Sequence, residues 1–233
     1  MRLVSLFSGG KDSVYATHVA IWSGHEVVCM LSMKPSDSDS YMFHTPNIDA
    51  TSLQAEAMNI PLVRVYTKGE KEKELIELKN ALRELKKSAK IDGVITGAVS
   101  SVYQASRIER ICHELDLYCF NPLWLTQPEA HWHELVLNGI EVVLVRVAAQ
   151  GLDKKWLGRK MDIPSILALQ NMHHHGVSAI GEGGEFESFV CDAPLFKKKT
   201  RIEKFKDEWK GLQGTRHILK AKLVDKSPGK GTP

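Results

Sequence analysis

Ser8-Gly9-Gly10-Lys11-Asp12-Ser13 puts two hydroxyls, a cation, a carboxylate and two glycines in one short run. That set suits the oxygens of a phosphate chain. Glycines lack Cβ atoms, so the backbone can curl closely around an anion. The apolar run Leu3-Val4-Ser5-Leu6-Phe7 precedes the motif, and Val14, Ala16, Val19 and Ile21 follow at helical spacing. The pattern predicts strand, tight turn, helix, with the helix directing its first N–H groups and positive dipole end at the turn. Ser8 and Ser13 add hydroxyl donors and Lys11 a charge. Asp12 either caps the helix or holds Mg²⁺ through oxygen. Neither a Walker A loop nor a G-x-G-x-x-G fingerprint is present. A plain glycine turn is the alternative, but six matching residues at the first strand–helix junction favour a nucleotide cradle.

A second constellation is Gly181-Glu182-Gly183-Gly184-Glu185-Phe186-Glu187-Ser188. Three carboxylates so close together repel one another unless cations or solvent compensate. A glutamate-rich surface turn explains the charges but not the three glycines, which permit close backbone approach. A functional site is the better reading.

The elements that must position these residues follow from periodicity. Strands are predicted at Arg2–Phe7, Glu26–Met33, Pro61–Tyr66, Gly93–Thr96 and Leu117–Asn121. Helices are predicted near Asp12–Ser23, Ile48–Met58, Lys71–Ser88 and Ser101–Leu115. Alternating strand and helix implies a parallel sheet covered on both faces, with ligands at the carboxyl ends of its strands. Leu75, Leu78, Leu82, Leu85 and Ala89 form one stripe, so the lysines and glutamates of that helix are its wet face. Pairs such as Glu70–Lys73 and Glu84–Lys87 support it. Ser36–Asn47 has no apolar period and is a loop, either a lid or plain surface.

After Trp124 the rhythm changes. A helix at Pro128–Asn138, a strand at Glu141–Ala148, a helix at Asp162–His175 closed by Gly176, and a hairpin of Arg201–Trp209 with Arg216–Val224 are predicted. The domains are therefore 1–124 for nucleotide binding, 125–225 as a smaller α+β domain, and 226–233 as a flexible tail.

With 233 residues, 43% hydrophobic and 25% charged, the composition is that of a globular protein. A net charge of +3 is too small to argue for nucleic acid or an anionic membrane as a partner. The longest apolar stretch, Val142 to Leu152, is short and interrupted by Arg146, so no membrane span is expected. No secretory signal is present and the protein reads as cytoplasmic. Cys29, Cys112, Cys119 and Cys191 form no C-x-x-C pair and read as structural thiols. His173-His174-His175, at a helix end, read as solvated rather than metal-bound.

The first motif resembles the PP-loop of the ATP pyrophosphatase superfamily, S-G-G-x-D-S. Members bind ATP, attack its α-phosphate with a substrate oxygen and release pyrophosphate. The second motif, continued through Phe189-Val190-Cys191-Asp192-Ala193-Pro194-Leu195-Phe196, resembles the N-type subfamily that includes diphthine–ammonia ligases. The likeness extends through Leu31-Ser32-Met33, Gly97 to Gln104 with Arg107, and Trp156-Leu157-Gly158-Arg159; Ser188 stands where many relatives carry threonine.

The resemblance implies an α/β fold: a parallel-sheet, adenine nucleotide alpha-hydrolase-like (Rossmann-like, HUP-type) domain with a smaller C-terminal α+β domain. It implies ATP and Mg²⁺ as cofactors, and as partners a diphthine-bearing translation elongation factor 2 and ammonium drawn from solution. The acceptor carboxylate is adenylated and ammonia then displaces AMP. Ser8, Gly9, Gly10 and Ser13 would cradle the β- and γ-phosphates, Lys11 would offset their charge, and Asp12 would hold Mg²⁺. Backbone near Met33 and Gly97 would meet adenine. Arg107 would reach a phosphate, or instead pair with Glu114. Tyr103 and Gln104, with Gly181, Glu182, Gly183, Gly184, Glu185, Glu187 and Ser188, would hold the acceptor. Catalysis would fall to Lys11 and Asp12, with Glu185 or Glu187 deprotonating ammonium. Trp124 and Trp156 serve either cation–π contacts or packing. A homodimer is left open. The competing readings are a ligase on another carboxylate, such as a corrinoid-related one, and a non-catalytic adenine-nucleotide sensor; tRNA modification lacks both a basic stripe and paired cysteines.

Overall fold

The computed structural model describes residues 1–35, 47–68, 72–172 and 177–226. Most of the Ser36–Asn47 loop, Glu70, the three consecutive histidines with Gly176, and the tail beyond Lys226 lie outside the described residues. The chain divides into two units, one of Met1–Thr51 with Ile60–Gln127 and one of Ser52–Asn59 with Pro128–Pro233.

In the first unit, strands β1 (Arg2–Leu6), β2 (Glu26–Pro35), β3 (Leu62–Thr67), β4 (Gly93–Ile95) and β5 (Tyr118–Phe120) form one sheet. All neighbours are parallel, in the order β3-β2-β1-β4-β5. The strand order reverses beside β1, and the carboxyl edge there is where such sheets bind ligands. Leu3, Val4, Leu31, Val94 and Ile95 are almost completely buried, as near-continuous apolar runs require in a sheet covered on both faces. The helices of this unit are α1 (Lys11–Trp22), α3 (Lys73–Ser88) and α4 (Val102–Glu114). On α3 the predicted stripe packs the core: Leu78 and Leu82 are buried, with Leu75, Leu85 and Ala89 against them. Ser101 caps α4 by accepting from Gln104 N at 3.3 Å.

The helix α2 (Thr51–Met58) groups instead with the second unit. Gln54 Nε2 donates to Val190 O at 2.8 Å, and Ala57 O accepts from Lys197 N at 2.7 Å.

The second unit contains α5 (Pro128–Leu137), β6 (Glu141–Val147), α6 (Ile163–Gln170), β7 (Phe186–Asp192), β8 (Lys198–Lys210) and β9 (Gln213–Asp225). Its sheet is antiparallel in the order β7-β6-β9-β8. The helix α6 stops at Gln170, short of the predicted His175, and its start is capped by Asp162, which accepts from Ser165 N at 3.0 Å. The hairpin is longer than predicted, because β8 and β9 run on to a turn of only Gly211 and Leu212.

Register shifts at Ile202/Lys204 and Lys204/Phe205 break the alternation of this ribbon. Its lysines are matched by carboxylates: Glu203 pairs with Lys220 at 3.0 Å and with Lys222, and Glu208 pairs with Lys206 at 2.7 Å. Arg216 stacks over Phe205 at 3.6 Å and pairs with Asp207 at 2.7 Å. Two thiols also meet: Cys112 and Cys119 share a hydrogen bond, which with burial pushes the Cys112 thiol up. No helix among the described residues is long and apolar enough to cross a membrane.

Candidate functional site

The glycine turn lies at the carboxyl end of β1. Gly9 takes φ +79°, a left-handed conformation that glycine adopts freely, whereas Gly10 has an ordinary extended backbone. Ser13 Oγ gathers the turn around itself. It accepts from Ser8 N at 3.2 Å, meets Ser8 Oγ at 3.1 Å and donates to Gly10 O at 3.1 Å. Gly10 N donates to Ser8 Oγ at 3.4 Å, and no side chain caps the start of α1. These are long, mostly neutral contacts beside a helix N-terminus, an arrangement in which anionic oxygens are the stronger acceptors.

Lys11 is 4% exposed, and its Nζ donates to Asp12 Oδ2 at 2.8 Å. The neighbouring strands close the turn. Ser32 Oγ donates to Phe7 O at 2.6 Å. A Cβ on Gly97 would fall 2.8 Å from Asp12 C and 2.9 Å from Ser13 N. Close approach to the first turn of α1 thus requires glycine at 97. The Met33 side chain is buried, so only its backbone is available to a ligand.

These residues fit a triphosphate. They supply little for Mg²⁺, since Asp12 is the single carboxylate of the turn and no group of three or more His, Cys, Asp or Glu among the described residues could hold a metal. Phosphate oxygens and water would complete the ion's shell.

Arg107 pairs with Glu72 and not with Glu114. Its Nη2 and Nε donate to Glu72 at 2.7 and 3.0 Å, and its guanidinium lies 3.5 Å over the Tyr103 ring. Tyr103 OH donates to Glu72 at 3.1 Å. Glu114 is held by Lys79 at 2.5 Å and by Arg110 at 2.9 Å, which keep its carboxyl below the usual range. Gln104 is engaged through its backbone at the α4 cap.

The acid motif occupies the turn before β7 and the start of that strand. Gly184 takes φ +83°. Glu185 accepts from Ser178 N at 3.2 Å through Oε1, and its carbonyl accepts from Ala148 N at 2.7 Å. Among the described residues its Oε2 is buried with no hydrogen-bond partner. Glu187 faces Arg146 across the β6–β7 ladder and accepts from Arg146 Nη1 at 2.8 Å. Burial pushes the Glu187 carboxyl up, while Arg146 pulls it down. Ser188 is buried in β7. Trp156 is buried with Arg159 stacked over it at 4.5 Å, so its ring already carries a cation.

Sequence reasoning missed Arg146, Ser178 and Glu72. For Arg146 a signal existed: a lone arginine in an otherwise buried strand demands a counter-charge.

The family models described as diphthamide synthase N-terminal domain and diphthamide synthase C-terminal domain match residues 1–119 and 127–224. The chain is 37% identical to a diphthine–ammonia ligase of Rattus norvegicus and 36% identical to that of Bos taurus. Each match covers 87% of this chain and 83% of the relative. A solved structure of a predicted tRNA methyltransferase subunit from Methanocaldococcus jannaschii matches at 13% identity and TM-score 0.44, over 83% of this chain and 98% of that one. That likeness is too distant to weigh on the assignment. With both domain models matched in sequence order and such identity along most of its length, the chain belongs to the diphthamide synthase family.

Proposed function

We propose that the chain is a diphthine–ammonia ligase, converting the carboxylate of diphthine on elongation factor 2 to the amide at the expense of ATP. The observation that carries this reading is the match to both family domains over 1–119 and 127–224. The two glycine-rich turns supply groups of the right sign for the two halves of the reaction.

In the first half the acceptor carboxylate oxygen attacks the α-phosphorus and pyrophosphate leaves. Ser8, Gly9, Gly10 and Ser13 hold the leaving phosphates, and the buried Lys11 offsets charge as it develops on them. Mg²⁺, when bound, polarises phosphate oxygens, and Asp12 is the residue that would help hold it. In the second half ammonia attacks the acyl carbon and AMP departs. The acid motif attracts the cationic groups involved, diphthine's trimethylammonium and the incoming ammonium, and one of its glutamates accepts a proton from nitrogen. Arg107, once released from Glu72, is available to a phosphate. The protein acts in the cytoplasm, as a monomer or a homodimer.

The test is direct. The protein is incubated with MgATP, ammonium and diphthine-bearing elongation factor 2, while AMP and the acceptor's mass are followed. Amide formation that needs all three supports the reading. AMP without dependence on that acceptor indicates a different carboxylate, and nucleotide binding without turnover indicates a sensor.

A further inference from the structure

We propose that the carboxylates of the acid motif divide the work: Glu185 binds ammonium and takes its proton, while Arg146 is a positioning residue that occupies Glu187 and holds the division in place. This rests on the ligase reading above.

Glu187 and Arg146 are cross-strand partners whose side chains are 20% and 21% exposed, and Arg146 Nη2 also reaches Gln213 Oε1 at 3.3 Å. A carboxylate matched by a guanidinium offers little net charge to a second cation. Removing that carboxylate from the pair would leave a mostly buried guanidinium uncompensated.

Glu185 is the opposite case. Ser178 N and Ala148 N fix one carboxylate oxygen and the backbone carbonyl, yet among the described residues Oε2 is buried and unmatched. An orphaned buried acceptor is costly, and such exceptions need a partner. The partner must donate a hydrogen bond, which excludes diphthine's quaternary nitrogen because it bears no N–H. Ammonium, the nitrogen donor of the reaction, meets that condition.

The step balances as follows. Ammonium passes one proton to Glu185 Oε2, and the freed lone pair forms the C–N bond. The acyl C–O bond to AMP breaks with its electron pair staying on the nucleotide phosphate, and the surplus proton on nitrogen leaves to water.

Initial rates of amide formation, with MgATP and diphthine-bearing elongation factor 2, are measured against ammonium and then against hydroxylamine, a nucleophile uncharged at neutral pH. For E185Q the ammonium KM should rise by about tenfold or more with a fall in kcat, and the loss should be several-fold smaller when hydroxylamine replaces ammonium. E185D, which keeps the charge on a shorter arm, should fall between. E187Q should change the ammonium KM less than E185Q does. R146Q should lower kcat with both nucleophiles, and R146K should restore part of it. Three results overturn the inference: an unchanged ammonium KM in E185Q, equal loss with both nucleophiles in E185Q, or the larger ammonium KM change in E187Q. R146Q indistinguishable from the parent removes the positioning role. No amide from the parent protein would instead overturn the ligase reading, and this inference with it.

Discussion

At the turn after β1, Gly9 sits at φ +79°; at the turn before β7, Gly184 sits at φ +83°. The backbone device is the same, and the charge it organises is opposite. In the first turn, the N–H groups of Ser8 and Gly10 rest on hydroxyls at 3.2 and 3.4 Å, and the helix behind them starts without a side-chain cap. A phosphate oxygen improves on every one of those contacts. At the second turn, Glu185 is pinned from outside it, its Oε1 accepting from Ser178 N at 3.2 Å and its backbone carbonyl from Ala148 N at 2.7 Å. What remains, among the described residues, is a carboxylate oxygen without a donor. The sign of the ligand follows from which polar groups the turn leaves weakly bonded, not from glycine content.

That contrast can be broken at its strongest point first. Gly97→Ala places a methyl against the Asp12 and Ser13 backbone and should raise the ATP Kd about 100-fold, read by calorimetry. Near-normal binding would mean that the start of α1 tolerates displacement. Ser13→Ala removes the hydroxyl that ties Ser8 to Gly10 and should weaken ATP by about tenfold. In the acid turn, a Cβ at Gly184 meets nothing within 4 Å. Gly184→Ala should therefore lose only about 1 kcal/mol, the conformational penalty alone. A much larger loss in urea denaturation would show that this turn, too, is pressed by neighbours.

The smallest effect concerns pH. Burial raises the Glu187 pKa in the folded protein, so the unfolded chain gives up this proton first as pH rises. Glu187 thus subtracts stability progressively from the ordinary carboxylate value upward. Glu187→Gln should gain relative stability at pH 7 compared with pH 4. The reverse trend in denaturation midpoints would show that the Arg146 pair outweighs burial.

The first turn was legible because everything that makes it is local: an apolar run, a glycine pair and a helix start within 22 residues of chain. The parallel sheet was legible for the same reason, since its strands are continuous apolar runs. The strand β7 was not predicted as an element. Its carboxylates resemble a loop until Arg146, 41 positions away in sequence, is seen to match Glu187. For Arg107 a phosphate was expected, with Glu114 as the alternative; its protein partner, Glu72, is 35 positions back and precedes α3. No periodicity predicts that α2 leaves its neighbours for Val190, 136 positions on. The pairing of Glu203 with Lys220 and Lys222 was hidden because two register shifts break the strand alternation of β8 and β9.

On that ribbon, Arg201 stands opposite Lys222 and Lys204 opposite Lys220, and Glu203 relieves the repulsion by pairing with Lys220 at 3.0 Å and with Lys222. Added electrolyte should therefore loosen this hairpin, because it screens the carboxylate that holds the lysines together. The lysines left along the exposed β8 border still discourage annealing to a second molecule, so a long edge strand is kept from fibrous growth.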